Sequence, residues 1–239
     1  MPETLEDFLM QRPPTAERPL LGQTLLVVED SRFACEALRL ICQRSGARIR
    51  RADSLKSASR HLCTYRPGIV VVDVGLPDGS GLDLIRSLAN SDPRIGLIMA
   101  MSGDESLADG AREAGADTFL AKPITSISAF QSAILAKMPM DARPAGLRPV
   151  SADEVSPDRI ALRDDLALAA DLLVPEPDQP TLDYLTNFLL GIAKSVQDND
   201  LRDVVRDIAA SRASDQPSPA IVTQLRELLL ERLQDEQRV

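Results

Sequence analysis

The run Gly68-Ile69-Val70-Val71-Val72-Asp73 decides the fold. It reads as an apolar strand that delivers a carboxylate into the turn Val74-Gly75-Leu76-Pro77-Asp78-Gly79. Polar residues recur at the ends of three further apolar runs. Glu29-Asp30 follow Leu25-Leu26-Val27-Val28, Ser102 follows Gly96 to Met101, and Lys122-Pro123 follow Phe119-Leu120-Ala121. Acids, a hydroxyl and a lysine at four strand ends describe one site at the edge of a parallel sheet, where ligands of such sheets collect.

Working outward, strands are predicted at 24–29, 47–52, 69–73, 95–101 and 117–121. Helical stripes separate them. Ala34, Leu38, Ile41, Cys42 and Ser45 make the first, ended by Gly46; Leu55, Ala58, Ser59 and Leu62 make the second. Leu82, Ile85, Leu88 and Ala89, then Leu107, Ala111 and Ala114, then Ile127, Phe130, Ile134 and Met138 supply the other three. Five β–α units with right-handed crossovers give a five-stranded parallel, doubly wound (flavodoxin-like) sheet with helices on both faces.

This α/β domain is expected over residues 23–138. Residues 1–22 read as a mobile extension, because Pro13-Pro14 and Pro19 break the short helix that Leu5, Phe8 and Leu9 would line. Residues 139–156, rich in Pro, Gly and Ser, read as a linker, and residues 157–239 as an all-α bundle. There Ser156-Pro157 is expected to open a helix to about Leu173, and Pro175, Pro177 and Pro180 to interrupt the chain. Leu182, Leu185, Leu189, Ile192 and Val196 alternate steps of three and four, a packing seam. Asn199 is placed to cap a third helix bearing Leu201, Val204, Val205 and Ile208; Ser218-Pro219 opens a fourth with Val222, Leu225, Leu229 and Leu233. Four such helices form a bundle closed within one chain or completed by a second copy as a homodimer.

Composition narrows the function classes. Of 239 residues none is Trp, two are Tyr and five are Phe, so Leu, Ile, Val and Ala must build the core. No apolar stretch approaches the ~20 residues of a membrane helix. Glu3, Glu6 and Asp7 stand where a signal peptide would be basic, which points to a cytoplasmic protein. Cys35, Cys42 and Cys63 have no CxxC spacing and read as reduced thiols, and the lone His61 as an exposed helical residue. The net charge of −9 divides into −2 over 1–22, +1 over 23–140 and −8 over 141–239. So acidic a C-terminal part would be repelled by DNA phosphates. Arg202 and Arg206 are flanked by Asp203 and Asp207, and neither a nucleotide loop nor a His is present there.

With Glu29-Asp30, Asp73, Ser102 and Lys122-Pro123 in order, and Leu76-Pro77 and Gly81 just beyond Asp73, residues 23–138 resemble the receiver domain of two-component response regulators. The resemblance implies that Asp73 is the phosphoacceptor. It implies that Asp30, Asp73 and the backbone carbonyl of Gly75 bind Mg²⁺, with Glu29 acting through water. Lys122 would neutralise the phosphoryl oxygens, aimed by a cis bond to Pro123. Ser102 would swing inward as a switch coupled to Phe119. The resemblance also implies that Gly75 and Asp104 occupy positions that would tune phosphoryl lifetime. The physical logic is independent of the name: clustered carboxylates resist joint ionisation, and a hard divalent cation relieves them. Expected partners are a histidine kinase or histidine phosphotransfer protein upstream and a protein target downstream, reached through the helical domain. No separate catalytic output domain is recognised. The alternative is a phosphorylation-controlled DNA-binding transcriptional regulator with an unrecognised output domain.

Overall fold

Residues 13–145, 152–173, 177–212 and 219–236 are described by the structure, a computed structural model. Five apolar runs form the strands β1 (Thr24–Val28), β2 (Arg48–Ala52), β3 (Ile69–Asp73), β4 (Leu97–Ser102) and β5 (Thr118–Ala121). They pair in parallel in the order β2-β1-β3-β4-β5. Helices α1 (Arg32–Ser45), α2 (Leu55–Thr64), α3 (Gly81–Ala89), α4 (Ala108–Glu113) and α5 (Ile127–Leu135) connect and follow them. The sequence predicts each of these elements; only their ends shift.

Strand alternation sorts the side chains to two cores. Leu25, Val27, Ile69, Val71, Leu97, Met99 and Met101 face α1 and α5. Leu26, Val28, Val70, Val72, Ile98 and Ala100 face α2, α3 and α4. Both faces are covered, which accounts for the uninterrupted apolar runs. Serine hydroxyls of Ser31, Ser54, Ser80 and Ser126 cap the N-termini of α1, α2, α3 and α5, and α1 stops at Gly46 in the left-handed conformation.

The helical part comprises α6 (Arg159–Leu172), α7 (Gln179–Val196), α8 (Asn199–Arg212) and α9 (Pro219–Asp235). Leu162, Leu166 and Ala169 of α6 pack with Leu182, Leu185, Leu189 and Ile192 of α7, Val205 and Ile208 of α8, and Leu225 and Leu229 of α9. The α7 seam is therefore spent within the chain, apart from Val196 at its exposed end. It is not a surface for a second copy or a target.

Several details differ from expectation. Asp158, not Ser156, caps α6: its carboxylate accepts from Ile160 N at 2.9 Å. Ser156-Pro157 stay outside because the preceding residues are held on the α/β domain: Val155 is buried, and its N–H donates to Thr125 O at 2.9 Å. Residues 153–155 of the expected linker are thus docked. Pro180 does not interrupt a helix but lies in the first turn of α7, where a proline leaves no hydrogen bond unmade. Asp198 rather than Asn199 accepts from Leu201 N at 3.0 Å. The extension is anchored at its end by Leu20, fully buried, whose N–H donates to Ser45 O at 2.9 Å. His61 is half-buried, edge-on to Tyr65 at 5.6 Å. Leu5, Phe8, Leu9, Pro175 and Ser218 lie outside the described residues.

Candidate functional site

Register brings the strand ends together. Val28 pairs with Val72, Asp73 with Met101, and Ser102 with Ala121. Glu29 and Asp30 leave β1, Asp73 closes β3, Ser102 closes β4 and Lys122 leaves β5, all at one edge of the sheet. The turn after Asp73 is a two-residue antiparallel pair, Gly75–Leu76 with Gly79–Ser80. It returns the chain so tightly that a Cβ at Gly81 would lie 1.9 Å from the backbone oxygen of Asp73. Only glycine allows α3 to start there.

Of three clustered carboxylates, two contact one ammonium. Lys122 Nζ stands 2.6 Å from Glu29 Oε2 and 3.0 Å from Asp73 Oδ2. The second Glu29 oxygen accepts from Ser31 N at 3.0 Å. Asp30 Oδ2 accepts from the Tyr184 hydroxyl, whereas Asp30 Oδ1 is buried with no hydrogen-bond partner. Burial pushes the carboxyls up: Glu29 to about 7, Asp30 to about 6 and Asp73 to about 7. The Lys122 ammonium opposes the rise at Glu29 and Asp73, and the Tyr184 hydroxyl opposes it at Asp30. Burial alone would discharge Lys122, but Asp73 and Glu29 outweigh it and hold the ammonium protonated beyond its ordinary range.

One ammonium against three carboxylates leaves an excess of negative charge. Oxygens of Glu29, Asp30 and Asp73 lie within 4.8 Å of one another, the one such acidic grouping among the described residues. An all-oxygen donor set with residual charge and an unpartnered Asp30 oxygen fits a hard divalent cation such as Mg²⁺.

The other predicted residues are near but differently engaged. Ser102 is buried, and its hydroxyl accepts from Asp104 N at 3.1 Å. Asp104 uses its carboxylate on Ser106 N at 2.9 Å, capping the short 3₁₀ turn Glu105–Leu107. Phe119 is half-buried against the core shared with α2, α3 and α4. Gly75 is half-buried, and its backbone N–H beside the Asp73 carboxylate opposes, without cancelling, the rise that burial imposes on that group's pKa. The Lys122–Pro123 bond is cis.

Sequence reasoning missed the residues that α6 and α7 bring to this edge. Asp165, almost fully buried, accepts from Ser31 Oγ (2.7 Å), Arg32 N (2.9 Å) and Phe33 N (3.0 Å), capping α1 directly after the Glu29-Asp30 pair. Phe33 in turn enters the helical core. Tyr184 reaches Asp30, and the Lys194 ammonium donates to Gly103 O. A signal existed for Asp165: it lies between Leu162 and Leu166 on the apolar stripe of α6, where a carboxylate needs a buried partner. Tyr184 carried none beyond the scarcity of aromatics.

The sequence model of the response regulator receiver domain matches residues 25–134. The KDP operon transcriptional regulatory protein KdpE of Escherichia coli K12 is 32 % identical over 99 residues, covering 41 % of this chain and 44 % of its own length. The transcriptional regulatory protein PhoP of the same strain is 36 % identical over 101 residues, covering 41 % and 45 %. The chain thus spans less than half the length of these curated relatives. Among solved structures, a CheY-like receiver domain from Methylobacillus flagellatus is 28 % identical with a TM-score of 0.44, covering 48 % of this chain and 98 % of its own.

Proposed function

We propose that this chain, whose residues 25–134 are a response regulator receiver domain of a two-component system, takes a phosphoryl group on Asp73 and passes the signal to a protein target through its helical domain. We assign residues 23–138 to the receiver, 139–156 to the linker and 157–239 to the output. The observation that carries this reading is the Lys122 ammonium at 3.0 Å from Asp73 Oδ2, inside a pocket that also holds Glu29 and Asp30.

An Asp73 oxygen attacks phosphorus while the bond from phosphorus to the donor breaks, and the donor leaves with that electron pair. Little covalent chemistry is asked of the protein, so positioning and charge neutralisation dominate. Lys122 neutralises the equatorial phosphoryl oxygens, giving up its contact with Glu29 in part. Ser102 exchanges its bond with Asp104 N for one to a phosphoryl oxygen, and Phe119 follows that movement. Asp30, Asp73 and the Gly75 carbonyl would hold Mg²⁺, with Glu29 acting through water. When bound, the cation supplies a second positive pole for the transferred group. Gly75 leaves the acyl phosphate unshielded, and Asp104, freed from its cap, orients a hydrolytic water; the phosphoryl lifetime is then short. A histidine kinase or histidine phosphotransfer protein is the donor.

Beryllofluoride with Mg²⁺, a phosphoryl mimic, tests the reading. It should raise the Tm of wild type and leave Asp73→Asn unmoved; equal shifts in both would sink it. The second reading, transcriptional regulation, is favoured by the names of the relatives KdpE and PhoP. The charge of −8 over 141–239 argues against DNA contact. Tight retardation of genomic fragments at low salt would overturn the protein-target reading.

A further inference from the structure

One helix of the C-terminal part touches every strand-end segment around Asp73. Tyr184 donates its hydroxyl to Asp30 Oδ2, after β1. Asn187 Cβ lies 3.5 Å from where a Gly75 Cβ would stand, after β3. Lys194 donates to Gly103 O, after β4. A Cβ on Gly103 would come within 3.1 Å of Gly191 Cα, so these two backbones pack directly on one another. A Cβ on Gly191 would lie 3.6 Å from Lys122 Cδ, after β5. These four residues fall within the span 184–194 of α7, and Asp165 of α6 fastens the same edge at the start of α1.

We infer that α7 is a lid on the phosphoacceptor pocket, and that the Tyr184 hydroxyl and a divalent cation compete for Asp30. In-line transfer to Asp73 brings the donor in from beyond the sheet edge, which is where α7 lies. The side chains of Asp73 and Lys122 are accordingly each 10 % exposed. In the docked form each acid already has a partner from the protein: Lys122 serves Glu29 and Asp73, and Tyr184 serves Asp30. A cation that draws on Asp30 weakens that oxygen as an acceptor for Tyr184 and loosens α7. Reciprocally, undocking α7 raises cation affinity, because coupling between two sites acts equally in both directions. The helical part is thereby held silent by the site that activates it. This inference rests on the reading of Asp73 as phosphoacceptor for its purpose, but not for its physics.

Calorimetric Mg²⁺ titration of the full chain, with hydrogen exchange of residues 179–196, tests it. Gly191→Leu places a side chain in the gap to Lys122 and Gly103 and wedges α7 away; Tyr184→Phe removes only the hydroxyl. Both variants should bind Mg²⁺ about tenfold more tightly than wild type if the docked form holds about nine-tenths of the population. Mg²⁺ should speed exchange across α7 in wild type. Equal affinities for wild type and Tyr184→Phe, with α7 protection unmoved by Mg²⁺, overturn the lid; should Gly191→Leu fail to fold, Tyr184→Phe carries the test alone. If affinity and exchange respond as expected while none of the three proteins accepts a phosphoryl group, the phosphoacceptor reading fails and the lid stands. If wild type accepts phosphoryl with α7 still protected and affinities equal, the lid fails and the phosphoacceptor stands.

Discussion

Replacing Asp73 by Asn should stabilise the metal-free protein, by an amount that grows with pH. Burial raises the folded Asp73 carboxyl from 3.8 to about 7, even with Lys122 beside it. A group raised in the folded state costs nothing below its unfolded pKa, where both states hold the proton. As pH climbs from 3.8 to about 7, the unfolded chain releases that proton first, and stability is lost throughout this window. At about 1.4 kcal/mol per tenfold difference in proton affinity, the full loss is roughly 4 kcal/mol at pH 8 and under about 2 kcal/mol at pH 5. Asn cannot ionise and escapes it, although Lys122 then keeps only Glu29 as an anionic partner, so a net gain of about 2–4 kcal/mol is expected. For a chain of this size that is a rise in Tm of roughly 5–15 °C. Thermal unfolding of both proteins in EDTA across this pH range measures it directly. Adding Mg²⁺ should then close the gap from the wild-type side, since only wild type has the full acidic set. A variant no more stable than wild type at pH 8, or a gain as large at pH 5 as at pH 8, would refute the reasoning.

Three further outcomes are expected. Asp165→Ala removes the acceptor of three hydrogen bonds at the start of α1 and should cost about 2–4 kcal/mol in urea unfolding; a loss under half that would show the cap to be dispensable. Gly81→Ala forces a Cβ to within 1.9 Å of the Asp73 oxygen and should cost about 3 kcal/mol or more, or abolish folding; a variant with native stability would contradict the turn. Thiol reagents should modify exposed Cys63 at once but reach buried Cys35 and Cys42 only on unfolding. Burial raises both buried thiols, Cys42 to about 12, so little thiolate is present at neutral pH. Rapid loss of all three thiols in the folded protein would count against the core as described.

What the sequence disclosed was local. Asp73, Lys122 and the Glu29-Asp30 pair each end an apolar run, and parallel register leaves such ends nowhere to go but one edge. Gly46 lies beside the helix it ends, so that boundary was legible too. What it withheld was long-range. Tyr184 meets Asp30, and Asp165 meets Ser31, across more than 130 residues of chain, and no periodicity encodes such a pairing. The same limit misplaced the helix starts. Ser156-Pro157 and Asp158 are both competent caps, and the choice fell to Val155, which docks into a core belonging to another part of the chain. Leu20 was read as tail for the same reason: its pocket is made by residues it does not adjoin. The Leu182–Ile192 seam was recognised, but whether it faced its own chain or another depended on α6, α8 and α9 closing over it.

The central claim is that Asp73, set between Lys122 and a cation held by its neighbouring acids, forms the bond to phosphorus. Incubating the full chain with Mg²⁺ and a small acyl phosphate carrying labelled phosphorus, then digesting and locating the label, tests it most directly. The account predicts label on the peptide containing Asp73, none in EDTA and none on Asp73→Asn. Undiminished labelling of Asp73→Asn would contradict it.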